Sequence, residues 1–290
     1  MLKAADYLRF FDLHCDTAYK CYIDDEEFDV NRLAVSGECG KVFDEWSQTF
    51  AVWIKDDQEN PFLLYKNILS DFKSKLGNRP QNLRPIFAVE GGAVLENDSD
   101  RIFELWADGI KLLTLTWNGE NNIAGGCHTD KGLTNFGKTV IEKMNHLKIG
   151  CDLSHLNEKS FFAALDKSVF PLATHSNCKS ICDNPRNLTD QQIKVLCKRG
   201  GIIGLCFYPE FLGKNVMQKI YENIYHIADI GFENSIAIGS DFDGGEMDKS
   251  LDKISKVPDL YAFLSEKGLE RGFLDKIFFK NANNYIAKLK

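Results

Sequence analysis

An α/β fold, a closed (β/α)8 TIM barrel, is what this sequence predicts, and three observations carry the prediction. Short apolar segments recur eight times, most are separated by stretches that can form helices, and no GxGxxG follows any of them. Near-continuous apolar strands alternating with helices mark a parallel sheet covered on both faces. Eight repeats suit a closed barrel; the open doubly wound sheet is the structural alternative, weakened by the missing glycine fingerprint. Barrels of this kind run to ~250 residues as one domain. The 290 residues are therefore expected to form a single unit, 1–290.

Taken in order, the strand segments are 10–16, 48–54, 85–91, 110–116, 149–155, 170–175, 201–208 and 235–241. Amphipathic runs at 135–147, 158–165, 189–198 and 216–230 supply helices between them. A helix-forming piece at 2–8 precedes the first strand and is expected to cap the barrel floor, and 259–290 reads as helical closure. The longest irregular stretch, NGENNIAGGCHTDKGLT at 118–134, directly follows the fourth strand. A long Gly/Asn-rich loop in a compact domain is usually functional, and this one falls at the C-terminal face, where barrel enzymes keep their sites.

Composition narrows the function classes. With 35 basic and 42 acidic residues the formal charge is −7, and no Lys/Arg stripe is present, so nucleic acid is not an expected partner. The longest apolar stretch, 200–208, is far short of the ~18 residues that suggest a membrane span, so no membrane is expected either. The opening MLKAADYLRFFDLHCD lacks the basic start, long apolar centre and small-residue cleavage site of a signal peptide. Nine cysteines form no CxxC, and Cys15, Cys151 and Cys206 sit inside strand segments as small hydrophobes. These features together predict the reducing cytoplasm rather than a disulfide framework.

The chemistry-bearing residues gather at strand ends. Of six histidines, His14, His155 and His175 close predicted strands. Residues i and i+2 of a strand share a face, so His14 and Asp16 project together, a natural half-site for Zn²⁺. Glu90 closes the third strand ahead of two glycines, and Asp241 closes the eighth in Ser-Asp-Phe-Asp-Gly. A lone histidine or an Asp in a turn is ordinary; five strand ends bearing such groups in the same relative place are not, because barrel closure brings them together. His128, His146 and His226, in the loop or in helical runs, read as solvated or locally bonded. Arg186 by itself reads as a surface ion-pair partner, marked out only by its offset from His175.

In order, the motifs are HxD, VEGG, LTLTxN, DLSH, THS with an arginine eleven residues on, and GSDFDG. With similar spacing from His14 to Asp243, this series resembles the membrane (renal-type) dipeptidase family of the amidohydrolase superfamily. The resemblance implies two Zn²⁺ ions, His14 and Asp16 on one, His155 and His175 on the other, with Glu90 bridging and other divalent metals able to substitute. It implies that Asp241 handles the proton and Arg186 holds the C-terminal carboxylate of a small dipeptide, with tolerance for a D-residue there. It also implies a homodimer. The animal enzymes of the family carry, in the fourth-strand motif, a histidine that helps bind the substrate; here that position is Trp117, whose indole can donate one hydrogen bond but carry no charge. Normal metal assembly with altered selectivity is the expectation, with Trp117, Tyr208 and Arg186 shaping the pocket. Hydrolysis of another amide, a lactam or a lactone is the alternative at the same metals, and an inactive binding barrel a more distant one.

Overall fold

The computed structural model describes Leu8–Lys290. Eight strands appear where the apolar segments lie: β1 (Arg9–Cys15), β2 (Glu45–Trp53), β3 (Leu83–Glu90), β4 (Ile110–Thr114), β5 (Gly150–Asp152), β6 (Pro171–Leu172), β7 (Ile203–Leu205) and β8 (Ile236–Ile238). All pair in parallel, in the order β6-β5-β4-β3-β2-β1-β8-β7. The ring closes through the parallel bridge Ala173↔Ile203, where Gly204 N donates to Ala173 O at 2.8 Å and Ala173 N to Ile202 O at 2.9 Å. Gly204 is required at this seam: a Cβ there would lie 1.9 Å from Thr174 O.

Helices fill the outer layer: α1 (Thr17–Ile23), α2 (Pro61–Lys75), α3 (Arg101–Ala107), α4 (Asn135–Leu147), α5 (Glu158–Lys167), α6 (Asp190–Lys198), α7 (Pro209–Leu212), α8 (Val216–Asp229) and α9 (Val257–Glu266). Local chemistry fixes several starts. Thr134 accepts from Gly137 N at 2.9 Å, Asn157 from Ser160 N at 2.8 Å, and Thr189 exchanges bonds with Gln192 in a capping box. The chain ends in α10 (Arg271–Asp275), a π turn at Lys276–Lys280, and α11 (Asn281–Ile286).

Two apolar layers result. Residues between strands and helices form the larger; the smaller fills the barrel with Phe11, Leu13, Ala51, Ile86, Ala88 and Leu112. Phe279, Tyr285, Ile286 and Leu289 of the C-terminal segment pack on that inner layer, and Tyr285 Oη donates to Pro171 O at 2.9 Å. Closure by the last helices is as expected; the helix expected at 2–8 lies, except for buried Leu8, outside the described residues. No helix among the described residues is long and apolar enough to cross a membrane.

Candidate metal centre

Each strand end presents its polar residue by a different local device. In β1 the register with β2 shifts between Asp12 (opposite Gln48) and Cys15 (opposite Phe50). Three steps on one strand oppose two on its partner, which is a bulge. Phe11 and Leu13 belong to the inner layer and Cys15 to the outer one, so strict alternation would have turned His14 outward. The bulge re-aims it into the barrel mouth. Asp16 is not a strand residue, as the sequence suggested, but the residue that caps α1. Glu90 ends β3, and Gly91 after it takes φ +109°, where a Cβ would sit 2.1 Å from Ile54 O. His155 and Asp241 lie three residues past β5 and β8 in left-handed conformations, φ 70° and 66°. Such backbones cost about 1 kcal/mol or more and persist where the surroundings over-determine them. The expected strands 149–155, 170–175, 201–208 and 235–241 are therefore shorter than predicted, because their last residues turn into the mouth.

The six polar residues converge. His14 Nε2 lies 3.4 Å from Asp16 Oδ2, 3.3 Å from Glu90 Oε2 and 3.8 Å from Asp241 Oδ1. His155 Nε2 is 2.7 Å from Glu90 Oε1 and 2.7 Å from His175 Nε2, which is itself 3.8 Å from Glu90 Oε1. Glu90 thus stands between His14 on one side and the other two imidazoles on the other. Two sets, His14–Glu90–His175 and His14–Asp16–Asp241, each bring their ligand atoms within 4.8 Å of one another. All six are buried or nearly so.

Proton accounting shows that this donor set fits cations. Thr174 Oγ1 donates to Asp152 Oδ2 at 2.6 Å, so toward His175 Nδ1, 2.8 Å away, it acts as acceptor. Asn118 Oδ1 accepts from His155 Nδ1 at 2.8 Å. Both rings therefore carry their proton on Nδ1 and turn bare Nε2 lone pairs toward each other, an arrangement a cation between them makes favourable. His14 Nε2 and Asp16 Oδ1 are likewise buried without a hydrogen-bond partner. Burial pushes the Asp16 carboxyl up to about 8, with Glu90 adding to it, and pushes Asp241 up to about 6. Burial, aided by Arg186, takes His155 down to about 4, and burial holds His175 well below the usual imidazole range. The neutral imidazoles of His155 and His175, beside crowded carboxylates that hold His14 well above the usual imidazole range against its burial, are the chemistry of a borderline divalent metal site.

A cavity of about 450 Å³ opens above the cluster, with Asp16, Glu90, His155 and Asp241 among its lining residues. Trp117, Arg186 and Tyr208 all line it. Arg186 is not a surface residue but 4% exposed; its Nη2 donates to His175 O at 3.2 Å, its Cζ stands 5.1 Å over the Phe211 ring, and its Nε is unpartnered. Tyr208 packs edge-on to Phe211 at 5.0 Å. His128, read from sequence as a solvated loop residue, borders the cavity. His226 is bonded not locally but across the chain, to Asp190 at 2.8 Å and Ser180 at 3.2 Å. Sequence reasoning missed Asp56, which accepts from Trp117 N, Gly119 N and Asn121 Nδ2 at 3.0 to 3.3 Å and so holds the start of the 118–134 loop. It also missed Cys206, whose Sγ donates to Asp241 Oδ2 at 3.4 Å, and Tyr19 and Trp53 on the cavity wall. Polar residues shortly after a strand, such as Asp56 after Trp53, were the available signal.

A closed parallel barrel with imidazoles and carboxylates gathered at its C-terminal strand ends is the architecture of the metal-dependent hydrolase barrels. The family model for membrane dipeptidase (peptidase family M19) matches residues 69–287. The chain belongs to this membrane dipeptidase family. It is 32% identical over 209 residues to an uncharacterised protein encoded in the pqqA 5′ region of Klebsiella pneumoniae, covering 67% of this chain and 77% of that one. It is 32% identical over 199 residues to an uncharacterised dipeptidase of Schizosaccharomyces pombe, covering 65% and 49%. The chain spans about half the length of the fungal relatives it matches. Its fold matches that of a metallopeptidase from Rhodobacter sphaeroides solved with a phosphinate mimic of L-Ala-D-Ala, at TM-score 0.84 and 21% identity, covering 98% of this chain and 100% of that one.

Proposed function

We propose that this chain is a binuclear zinc dipeptidase that cleaves the peptide bond of free dipeptides and accepts a D-residue at the C-terminal position. The observation that carries the reading is the paired set of bare imidazole nitrogens around Glu90, with unpartnered Asp16 and His14 atoms beside them. His14 and Asp16 would hold one ion, His155 and His175 the other, and Glu90 would reach both. When bound, such a pair supplies an acidified water and polarises the scissile carbonyl.

The remaining work falls to this chain's own groups. Cys206 occupies Asp241 Oδ2, so Oδ1, on the side of His14, is the oxygen left to take a proton from water and return it to the departing amine. Burial raises the Asp241 carboxyl to about 6, close to the working range of a proton carrier. The free Nε of Arg186 can take up the substrate carboxylate, which selects peptides with a free C-terminus. The Rhodobacter neighbour, with its L-Ala-D-Ala mimic, supports the stereochemical part.

The test is zinc content with hydrolysis of L,L and L,D dipeptides, in wild type and in Asp241→Asn. The expected result is about two equivalents of zinc in both proteins, activity confined to the wild type, and none on carboxylate-blocked analogues. Bound zinc with lactam or lactone hydrolysis but no dipeptide cleavage would transfer the site to the alternative substrates.

A further inference from the structure

We infer that Tyr19, Trp53 and Trp117 form a subsite for a large apolar side chain on the amino-terminal residue of the substrate. The inference rests on the dipeptidase reading above, in which Arg186 takes the carboxylate. In a ring ordered β6-β5-β4-β3-β2-β1-β8-β7, β2 and β6 stand diametrically opposite. Trp53 is the last residue of β2, and Arg186 follows β6, bonded to the carbonyl of His175. A dipeptide pinned at Arg186 with its scissile bond over the Glu90 cluster directs its remaining residue across the mouth, toward β2.

What waits there is aromatic. The Trp53 ring meets Tyr19 edge-on at 5.0 Å and 86°, and Trp117 at 5.2 Å and 74°. All three line the cavity, and the two contacts hold Trp53 in place from both sides. Polar competitors on this wall are already engaged. Asp243 accepts from Thr17 Oγ1 at 2.6 Å and Ala34 N at 2.7 Å, one bond to each oxygen, and Lys20 pairs with Asp24 at 3.5 Å. The wall therefore presents ring surface and selects leucine- or phenylalanine-sized residues over charged ones, which would have to shed water there.

The test compares kcat/KM for Leu-Ala, Phe-Ala, Gly-Ala, Glu-Ala and Lys-Ala in the zinc-loaded wild type, Trp53→Ala and Trp53→Phe. The expected result is that Leu-Ala and Phe-Ala exceed Gly-Ala by about tenfold or more and also exceed Glu-Ala and Lys-Ala. Trp53→Ala shrinks that ratio mainly through KM, and Trp53→Phe restores it with zinc content constant. Tyr19→Ser, on a different element of the same wall, shrinks it too, which separates the subsite from a folding defect at Trp53. A Leu-to-Gly ratio near one in the wild type, a ratio that survives both Trp53→Ala and Tyr19→Ser, or Glu-Ala as the best substrate would overturn the inference while leaving dipeptidase activity intact. Zinc-loaded protein that cleaves none of the five refutes instead the reading on which it rests.

Discussion

The Thr174 hydroxyl has one proton and gives it to Asp152, so what it offers His175 is a lone pair. Asp152 also accepts from Thr114 Oγ1 at 2.6 Å, Ser154 N at 3.0 Å and Thr174 N at 2.9 Å, which leaves it no freedom to swing away. One buried carboxylate thereby decides which nitrogen of an imidazole faces the metal centre. Thr174→Val is expected to weaken zinc binding about 10–100-fold, while Thr174→Ser, which keeps the hydroxyl, restores it. Competition against a chelator of known affinity reads this directly, and equal affinity in both variants would contradict it. Asp12 plays a matching part at the other strand ends, accepting from Ser240 Oγ at 2.5 Å and Ser240 N at 2.8 Å just ahead of Asp241. A threonine and a serine, each immediately before a site residue, are fixed in the same way.

At the scale of elements, the 118–134 loop hangs on Asp56, which receives the Gly119 N–H and the Asn121 side-chain amide from it and the N–H of Trp117 just before it. Asp56→Ala leaves those donors to solvent and is expected to cost about 1–3 kcal/mol, with faster amide exchange at Trp117 and Gly119 and a lower kcat/KM. Unchanged exchange at those two amides would show that the loop is held by something else. This anchor was not legible in the sequence, because its partners stand 61 to 65 positions away. Helix 135–147 was legible to the residue, since a threonine cap and an amphipathic run mark both its identity and its start. Strand ends were legible only as places. Cys206 and Phe207 are as buried as any strand residue yet belong to no ladder, and an apolar run does not say where hydrogen bonding stops. The candidate metal ligands were readable because four of them come from separate strand ends. The β1 bulge that aims His14 was not, because apolar residues on both faces of a buried strand hide its alternation.

For the molecule as a whole, the buried thiols make stability depend on alkaline pH. All nine cysteines are free, and burial pushes Cys21 and Cys151 up to about 12 and Cys197 up to about 11, from an ordinary 9.0. An acid whose folded pKa is raised keeps its proton in the fold after the unfolded chain has lost it. Its stabilisation is complete below 9.0 and is lost as pH rises through the folded value. Thermal unfolding midpoints are therefore expected to fall between pH 9 and pH 11, and Cys151→Ala to fall less steeply over that range, whatever its midpoint at pH 7.5. An identical slope in that variant would rule the thiol out as a contributor.

The ring itself is unevenly sewn. Between β2 and β3 the register runs unbroken from Trp46↔Leu83 to Trp53↔Glu90, whereas β6 and β7 meet at the bridge Ala173↔Ile203, and β1 and β8 share only the pair Asp12↔Ile238 and the bridge Cys15↔Phe242. Of the two thin seams, the one between β6 and β7 is where the ring closes. That seam lies below His175 on one lip and below Cys206, the partner of Asp241, on the other. A mouth that widened at this joint to admit a peptide would carry His175, a proposed metal ligand, on one leaf and Cys206, the partner of Asp241, on the other.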